Sequence, residues 1–438
     1  MLPILHTMHK TFSMKAEKIA HDGAAEGLFE GAPVRVHAML PDEEGIVEAH
    51  KKHGILVGTL KDITKASSSR KTPEELHFLS CSPWQVMEYP LQVALKRQMI
   101  SDLFGFYPDT PNAGFTPASQ FYGYRTKVEF SFCDREGEQD IPLSLAFHER
   151  GGGSRRLALP EGCALASENM NHAALMICER LRNEGYTSRD LKTLIIRESK
   201  SDGNLLAILF AKKMDIPEFS VEDIPNLSGF LVFYSTEKSP ASVPTKGLWG
   251  VGEKYLTETI DGTTIRYSWD SFFQNNIPVF EETIKMMRKE LTQDAKVLEL
   301  YAGAGTIGLL LANGVKEVKG IEIAEGAVEA ANMNARINSV ANYQSECLPA
   351  EKIDASLLED ADILLLDPPR VGLHPKLLED IKEKLPKKII YLSCNPETQS
   401  RDYSELKEYY RINLVHGFDF YPQTPHVETL LVLSLKSK

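Results

Sequence analysis

The last third of the chain alternates between two hydrophobic rhythms. Dense apolar runs, KVLELY (296–301), EVKGIEI (317–323), DILLLD (362–367) and KIIYLSC (388–394), are separated by segments of ten or more residues with helical spacing. Such alternation predicts βαβ units and a mostly parallel sheet. The closing NLVHGFDFYPQTPHVETLLVLSL reads as two strands joined by a loop, an antiparallel finish at one edge. Residues 121–270 carry strand-like runs (YRTKVEFSFC, PLSLAFHER, LKTLIIRES, NLLAILFAKK, GFLVFYST) and one helical insertion, ALASENMNHAALMICERLRNEG, which together predict an α+β domain with a mainly antiparallel sheet. Residues 14–66 hold shorter pieces cut by turns and predict a small barrel or sandwich. The polar, Ser-rich stretch Lys61 to Lys71 reads as a linker. Trp84, Met87, Leu91 and Leu95 recur at helical spacing and predict an amphipathic helix over 84–106, with Pro90 early in it, packed on the catalytic domain. The fold class is α/β, with expected domains at 14–66, 72–270 and 271–438.

Composition narrows the classes without naming one. The 438 residues are 42% hydrophobic and 25% charged, ordinary for a soluble globular protein, which argues against disorder, collagen and a polytopic membrane protein. No apolar run approaches the ~18 residues of a membrane span, and His6 and Lys10 interrupt the apolar start. Six cysteines, at 81, 133, 163, 178, 347 and 394, are spread thinly, as expected of unpaired thiols in a reducing cytoplasm. A net charge of −12 counts against a general nucleic-acid binder but leaves room for a local basic groove.

The chemistry concentrates at strand ends. VLELYAGAGTIGLLLA (297–312) is a strand, a glycine turn and an apolar helix, and Gly303, Gly305 and Gly308 satisfy G-x-G-x-x-G. Such a turn lets a ligand approach backbone N–H groups at a helix N-terminus. Dinucleotide and S-adenosyl-L-methionine (AdoMet) enzymes both use it. Glu299 lies four residues before the turn, and Glu322, at the end of the next strand, is placed to accept from both hydroxyls of a ribose. Adenosine binding is favoured, with NAD still open. Asp367 ends a buried strand in ADILLLDPPRVGLHP, and the prolines stiffen the loop that follows. Cys394 ends the next strand, in a polar turn between Ser393 and Asn395, so the two belong above one sheet edge. Glu428 begins a strong apolar strand, and His426 beside it is a candidate proton shuttle.

One reaction needs these parts together. Carbon 5 of uracil is too weak a nucleophile to accept a methyl group directly. A thiolate adding to carbon 6 makes an enolate, whose carbon 5 then attacks a sulfonium methyl. A base must afterwards remove the carbon-5 proton so that the thiol can leave. An ordinary thiol pKa near ~8.5 leaves little thiolate at neutral pH, so local activation of Cys394 is expected.

At these residues the chain resembles the RNA 5-methyluridine methyltransferases. The likeness runs through YGYRTKVEFSF (122–132), SFFQNN (271–276), VLELYAGAGTIG, GIEI, DPPRVG, SCNPETQSRD and YPQTPHVE, nearly the whole chain. It implies a Rossmann-like class I AdoMet methyltransferase domain at the C-terminus and methylation of a uridine in ribosomal or transfer RNA. It also implies roles: Gln274, Tyr301, Glu322 and Asp367 as AdoMet contacts, Cys394 as nucleophile and Glu428 as base. Thr306 is carried over although the family often has Asn there. EKIAHDGAAEGLFEGAPVRVHAMLP resembles the TRAM domain, a small RNA-binding β-barrel, and by analogy favours large-subunit ribosomal RNA over tRNA.

The sequence departs from the family at its iron–sulfur site. Relatives with a [4Fe–4S] cluster carry three cysteines before the helix and a fourth in the central domain. Here Cys81 and Cys163 remain, while Glu75 and Trp84 occupy the other two positions. A cubane cluster wants four thiolates, so none is expected. Arg125 and Lys127 are the candidate RNA contacts. Arg150, Arg155 and Arg156 flank Gly151–Gly153 as a second candidate grip or a solvated hairpin tip. Phe272 and Phe273 either stack on an extruded base or belong to the core. Two other functional classes compete: an NAD-dependent oxidoreductase, which leaves DPPR and SCNP unexplained, and a catalytically silent RNA-binding protein, against which the pair Cys394 and Glu428 argues.

Overall fold

The computed structural model describes residues 10–52, 55–136, 138–150 and 155–436. The chain divides into two compact units: 1–99 with 148–155 and 421–425, and 100–147 with 156–420 and 426–438. Among the described residues the strands form four sheets, of six, seven, two and eight strands, the first in the first unit and the other three in the second. Among the described residues, no helix is long and apolar enough to cross a membrane.

The first unit contains a six-stranded sheet formed by strands from Lys10–Lys15 to Ile55–Lys65, and it fits the expected small β-barrel. Alternation places Met14, Val34, Val36, Val47 and Ala49 in its core. The supposed linker is shorter than expected, because residues 61–65 are strand and Arg70 is anchored. Arg70 grips the fully buried Glu43 at 2.6 and 2.7 Å, which compensates the cost of burying that carboxylate. The helix expected from residue 84 starts later, at Tyr89–Phe104. Pro90 is tolerated only in a first turn, where its missing N–H costs nothing, so it fixes the start. Trp84 and Met87 lie before the helix and pack with Leu40 and Val86. The boundary between the units falls inside this helix, and Ile100 and Phe104, in the second unit, belong to the core of the C-terminal sheet.

In the second unit, a seven-stranded sheet is antiparallel at Lys127–Glu136 against Leu191–Glu198 and at Leu191–Glu198 against Leu205–Ala211, with a parallel step to Leu227–Tyr234. The helical insertion is Glu168–Asn183, its N-terminus capped by Ser167. A hairpin follows, Tyr255–Ile260 and Thr263–Ser268, turning at Asp261-Gly262 with both residues at positive φ, the signature of a type I′ turn.

The C-terminal sheet has eight strands in the order Tyr343–Cys347, Glu317–Glu322, Lys296–Leu300, Ile363–Leu366, Lys388–Ser393, Glu428–Leu435, Tyr410–Phe418, Gly114–Thr116. The first five are parallel, and Glu428–Leu435 runs antiparallel to both its neighbours. The antiparallel pair was expected at the edge. Instead Gly114–Thr116, from the region assigned to the central domain, pairs with Tyr410–Phe418 and is itself the edge.

Candidate active site

The glycine turn has the geometry its sequence promises. Tyr301, Gly303 and Gly305 all have positive φ, at 64°, 55° and 77°, which glycine adopts freely and Tyr301 adopts under strain. A Cβ on Gly308 would come within 2.3 Å of the Glu299 carboxylate, so this glycine permits helix-to-strand packing. A Cβ on Gly303 would meet nothing within 4 Å, so Gly303 faces open space. Glu299 accepts from Gly308 N–H at 2.9 Å and Tyr343 OH at 3.3 Å, and burial pushes its pKa up to about 8. It braces the turn from behind. Glu322 takes the Gly303 N–H at 3.0 Å and the Ala324 N–H at 2.9 Å, one on each oxygen. Each oxygen keeps a second lone pair for a ligand hydroxyl.

A cleft of about 380 Å³ of empty space opens over this turn. Gln274, Tyr301, Thr306 and Asp367 line it, with Gly303 and Phe272. Thus four of the five residues expected to hold AdoMet line one cleft, and Glu322 holds the turn that floors it. Gln274 is buried, and its backbone carbonyl accepts from Thr126 Oγ1 at 2.8 Å, which ties the YRTK motif to this wall. Asn276 caps the helix Ile277–Arg288, and the neighbouring Asn275 Oδ1 is a buried acceptor without a partner among the described residues. Phe272 and Phe273 part company: Phe272 is 69% exposed at the cleft, while Phe273 stacks on Tyr267 in the core. A larger hollow, about 1080 Å³, lies along Pro369–Pro375, Arg401 and Glu405 and shares only Tyr301 with the cleft.

The proposed nucleophile and base lie at the end of one antiparallel ladder. The last antiparallel rung pairs Ser393 with Thr429. Just past this rung come Cys394, in the turn that follows its strand, and Glu428, the first residue of the other, close enough for the carboxylate to raise the thiol pKa. Gln399, fully buried, donates to Tyr391 O at 2.8 Å and Thr429 O at 3.1 Å, so the helix Pro396–Leu406 clamps both strands. Asn395 caps that helix and, with Thr398, donates to Arg370 O at 3.0 and 3.2 Å, which stitches the DPPR loop to the SCNP turn.

Electrostatics separate these groups from their surroundings. Burial, then the Glu428 carboxylate, pushes the Cys394 thiol up to about 11, opposed by the Arg370 guanidinium, which also hydrogen-bonds the thiol. Burial, then Asp367, holds Glu428 well above the ordinary carboxylate range, again opposed by Arg370. Burial raises Asp367 to about 7. Three acids raised by burial therefore lie near one another with an exposed cation, Arg370, beside them, a pattern common where protons are handled. Arg370 is the residue that sequence reasoning missed. Its signal was a cation in the DPPR loop beside a thiol already known to need activation.

Other candidates are placed as follows. Arg125 sits beside the buried Tyr124, whose hydroxyl it hydrogen-bonds. Lys127 is half-buried, 3.9 Å from Glu129, and burial lowers its pKa. His426 is exposed. Arg150 donates to Leu79 O, Arg155 pairs with Glu149 at 3.3 Å and Arg156 donates to Phe132 O, while Gly151–Gly153 lie outside the described residues. Around Cys81 stand Glu75 and His77, and Trp84 is a buried indole donating to Gly23 O at 3.0 Å. Cys163 is buried, its backbone clasped by Asn171. A segment with one thiol and an indole does not supply the thiolates of a cubane cluster.

Comparison with known proteins gives the family and the fold. The family described as tRNA (uracil-5-)-methyltransferase matches residues 88–436. An uncharacterized RNA methyltransferase of Caldanaerobacter subterraneus is 30% identical, covering 96% of this chain and 98% of its own length. One from Oceanobacillus iheyensis is 28% identical over 98% of this chain and 97% of its own. Among solved structures, the Pyrococcus abyssi tRNA (uracil-54, C5)-methyltransferase, in complex with S-adenosyl-L-homocysteine, shares the fold with a TM-score of 0.77. It is 24% identical and covers 97% of this chain and 100% of its own.

Proposed function

The chain belongs to the tRNA (uracil-5-)-methyltransferase family, an RNA-modifying enzyme family, and from that premise we propose that it methylates carbon 5 of a uridine in RNA through a transient bond from Cys394 to carbon 6. The observation that supports the proposal is that Cys394 and Glu428 follow directly on the Ser393–Thr429 rung, with the thiol in the fields of Glu428, Arg370 and Asp367.

AdoMet, when bound, supplies an electrophilic methyl group. Gln274, Tyr301, Thr306, Glu322 and Asp367 hold it, and the fit is chemical: a paired carboxylate for ribose hydroxyls, an open glycine turn and an acid at the strand end. Cys394 attacks as thiolate, favoured by Arg370, and forms the S–C6 bond while the ring π electrons move to make carbon 5 nucleophilic. After carbon 5 is methylated, Glu428 as carboxylate takes its proton. The electrons of that C–H bond restore the 5,6 double bond, and the thiolate leaves. A buried carboxylate with a raised pKa suits this step, because it is a stronger base than an exposed one. Arg125 and Lys127 serve the RNA, and Phe272, exposed at the cleft, gives an extruded base a surface to stack on.

The N-terminal barrel points to large-subunit ribosomal RNA by resemblance. The fold shared with a tRNA enzyme extends over 97% of the chain, barrel included, so the barrel does not by itself separate the two targets. Mass mapping of 5-methyluridine in ribosomal and transfer RNA from cells with and without the protein tests both. Loss at a ribosomal uridine is the expected result. Loss at a tRNA uridine moves the target, and loss at neither overturns the proposal.

A further inference from the structure

In the first unit, three side chains of metal-binding type converge. One ligand atom from each of Glu75, His77 and Cys81 lies within 4.8 Å of the other two. Cys81 Sγ is 3.0 Å from Glu75 Oε1 and 3.7 Å from His77 Nδ1, and His77 Nε2 is 3.4 Å from Glu75 Oε2. We propose that these residues bind a single divalent ion of borderline softness, zinc, in the N-terminal unit.

The distances are those of a ligand set. Zinc bonds of about 2.0–2.3 Å at tetrahedral angles place donors roughly 3.3–3.6 Å apart. An ion bonded to Cys81 Sγ, one His77 ring nitrogen and a Glu75 carboxylate oxygen would take donors already gathered within 4.8 Å of one another. Thiolate, carboxylate and neutral imidazole together carry the two negative charges that match the ion. The fourth position goes to water. Burial lowers the His77 pKa and so favours the neutral, ligating ring.

The carboxylate is also oriented from behind. Gln85 Nε2 donates to Glu75 Oε1 at 3.0 Å and to Ser82 Oγ at 2.6 Å, and Gln85 Oε1 accepts from Glu74 N at 2.8 Å. Gln85 and Ser82 are fully buried, so this support is fixed by packing. The guanidinium of Arg150, anchored on Leu79 O, lies near the Cys81 sulfur. The helix carrying Cys81 is a single turn, Phe78–Cys81, too short to be stable alone. An ion would fasten it to Glu75 and steady the loop from which Trp84 enters its core cluster.

The test uses the full-length, reduced, chelator-treated protein titrated with cobalt chloride and then zinc sulfate. One equivalent of cobalt should produce an intense sulfur-to-metal absorption that zinc abolishes. Cys81→Ser should lose that absorption, and His77→Ala and Glu75→Gln should each weaken binding by ten-fold or more. Zinc should raise the melting temperature of the parent protein and leave that of Cys81→Ser unmoved. Glu75→Gln keeps the side-chain shape, so it separates loss of a ligand from loss of folding. An absorption that persists in Cys81→Ser, or never appears in the parent, overturns the site. So does stoichiometric iron with acid-labile sulfide in anaerobically prepared protein.

Discussion

The two ends of the C-terminal sheet use the same side chain for opposite purposes. At the parallel end, Glu322 closes a strand, is half-exposed and receives two backbone N–H groups. At the antiparallel end, Glu428 opens a strand, is buried at 5% exposure, faces a thiol and Asp367, and is driven toward its protonated form. Backbone donors suit a carboxylate that must stay ionised and hold a ligand. Desolvation suits one that must accept a proton. On the proposed function, the parallel strands build a binding edge from turns, whereas the antiparallel strands bring Cys394 and Glu428 together for chemistry.

That division is most exposed to removal of the sulfur. Cys394→Ala should abolish methyl transfer, by roughly 10⁴-fold or more, the scale of losing a covalent nucleophile. Its AdoMet affinity, measured calorimetrically, should stay within a few-fold. Substantial turnover in this variant would end the covalent mechanism. Glu428→Gln should reduce turnover by about 10²- to 10⁴-fold, the range for a general base. Because addition precedes proton removal, this variant should also accumulate a protein–RNA adduct that survives a denaturing gel. Normal turnover would remove Glu428 from the role.

The parallel end should respond differently. Glu322→Gln loses charged acceptors for ribose, worth roughly 1.5–3 kcal/mol, so AdoMet should bind on the order of 10- to 100-fold more weakly. Turnover at saturating AdoMet should change little. If instead affinity held and turnover fell, the two ends would not divide binding from chemistry.

The legible parts of this molecule were those encoded locally. Gly303, Gly305 and Gly308 announced the turn, and the runs ending at Glu322, Asp367 and Cys394 announced their strands. The strand Tyr343–Cys347 went unread because it is the sheet edge and only Tyr343 and Ser345 turn inward, so no apolar run marks it. The hairpin at Asp261-Gly262 had a readable turn that was passed over. Gly114–Thr116 was not legible at all, since three residues joined to a strand three hundred positions away leave no local pattern. Arg370 and Gln399 belong to the same class. Their importance is a matter of which loop and which strand they meet, and the sequence spells only their neighbours.

The smallest expected effect comes from Arg370, whose guanidinium lowers both the Cys394 thiol and Glu428. The reactive form needs the thiol ionised and Glu428 as carboxylate, so the methylation rate should rise with pH across the neutral and mildly alkaline range. The thiol near about 11 keeps the rising limb open well above neutrality. The limb reports apparent values for the pair, because each charge raises the other. Arg370→Met removes the favourable charge, moves both groups upward, and should slow the reaction about ten-fold near neutral pH, one pKa unit being a ten-fold change. Raising the pH should recover much of that loss. Alkylation of Cys394 by iodoacetamide gives the same answer without RNA: its pH midpoint should move up in Arg370→Met and down in Glu428→Gln, where the neighbouring negative charge is gone. Equal midpoints in all three proteins would mean that the thiol is activated by something other than the charges that face it.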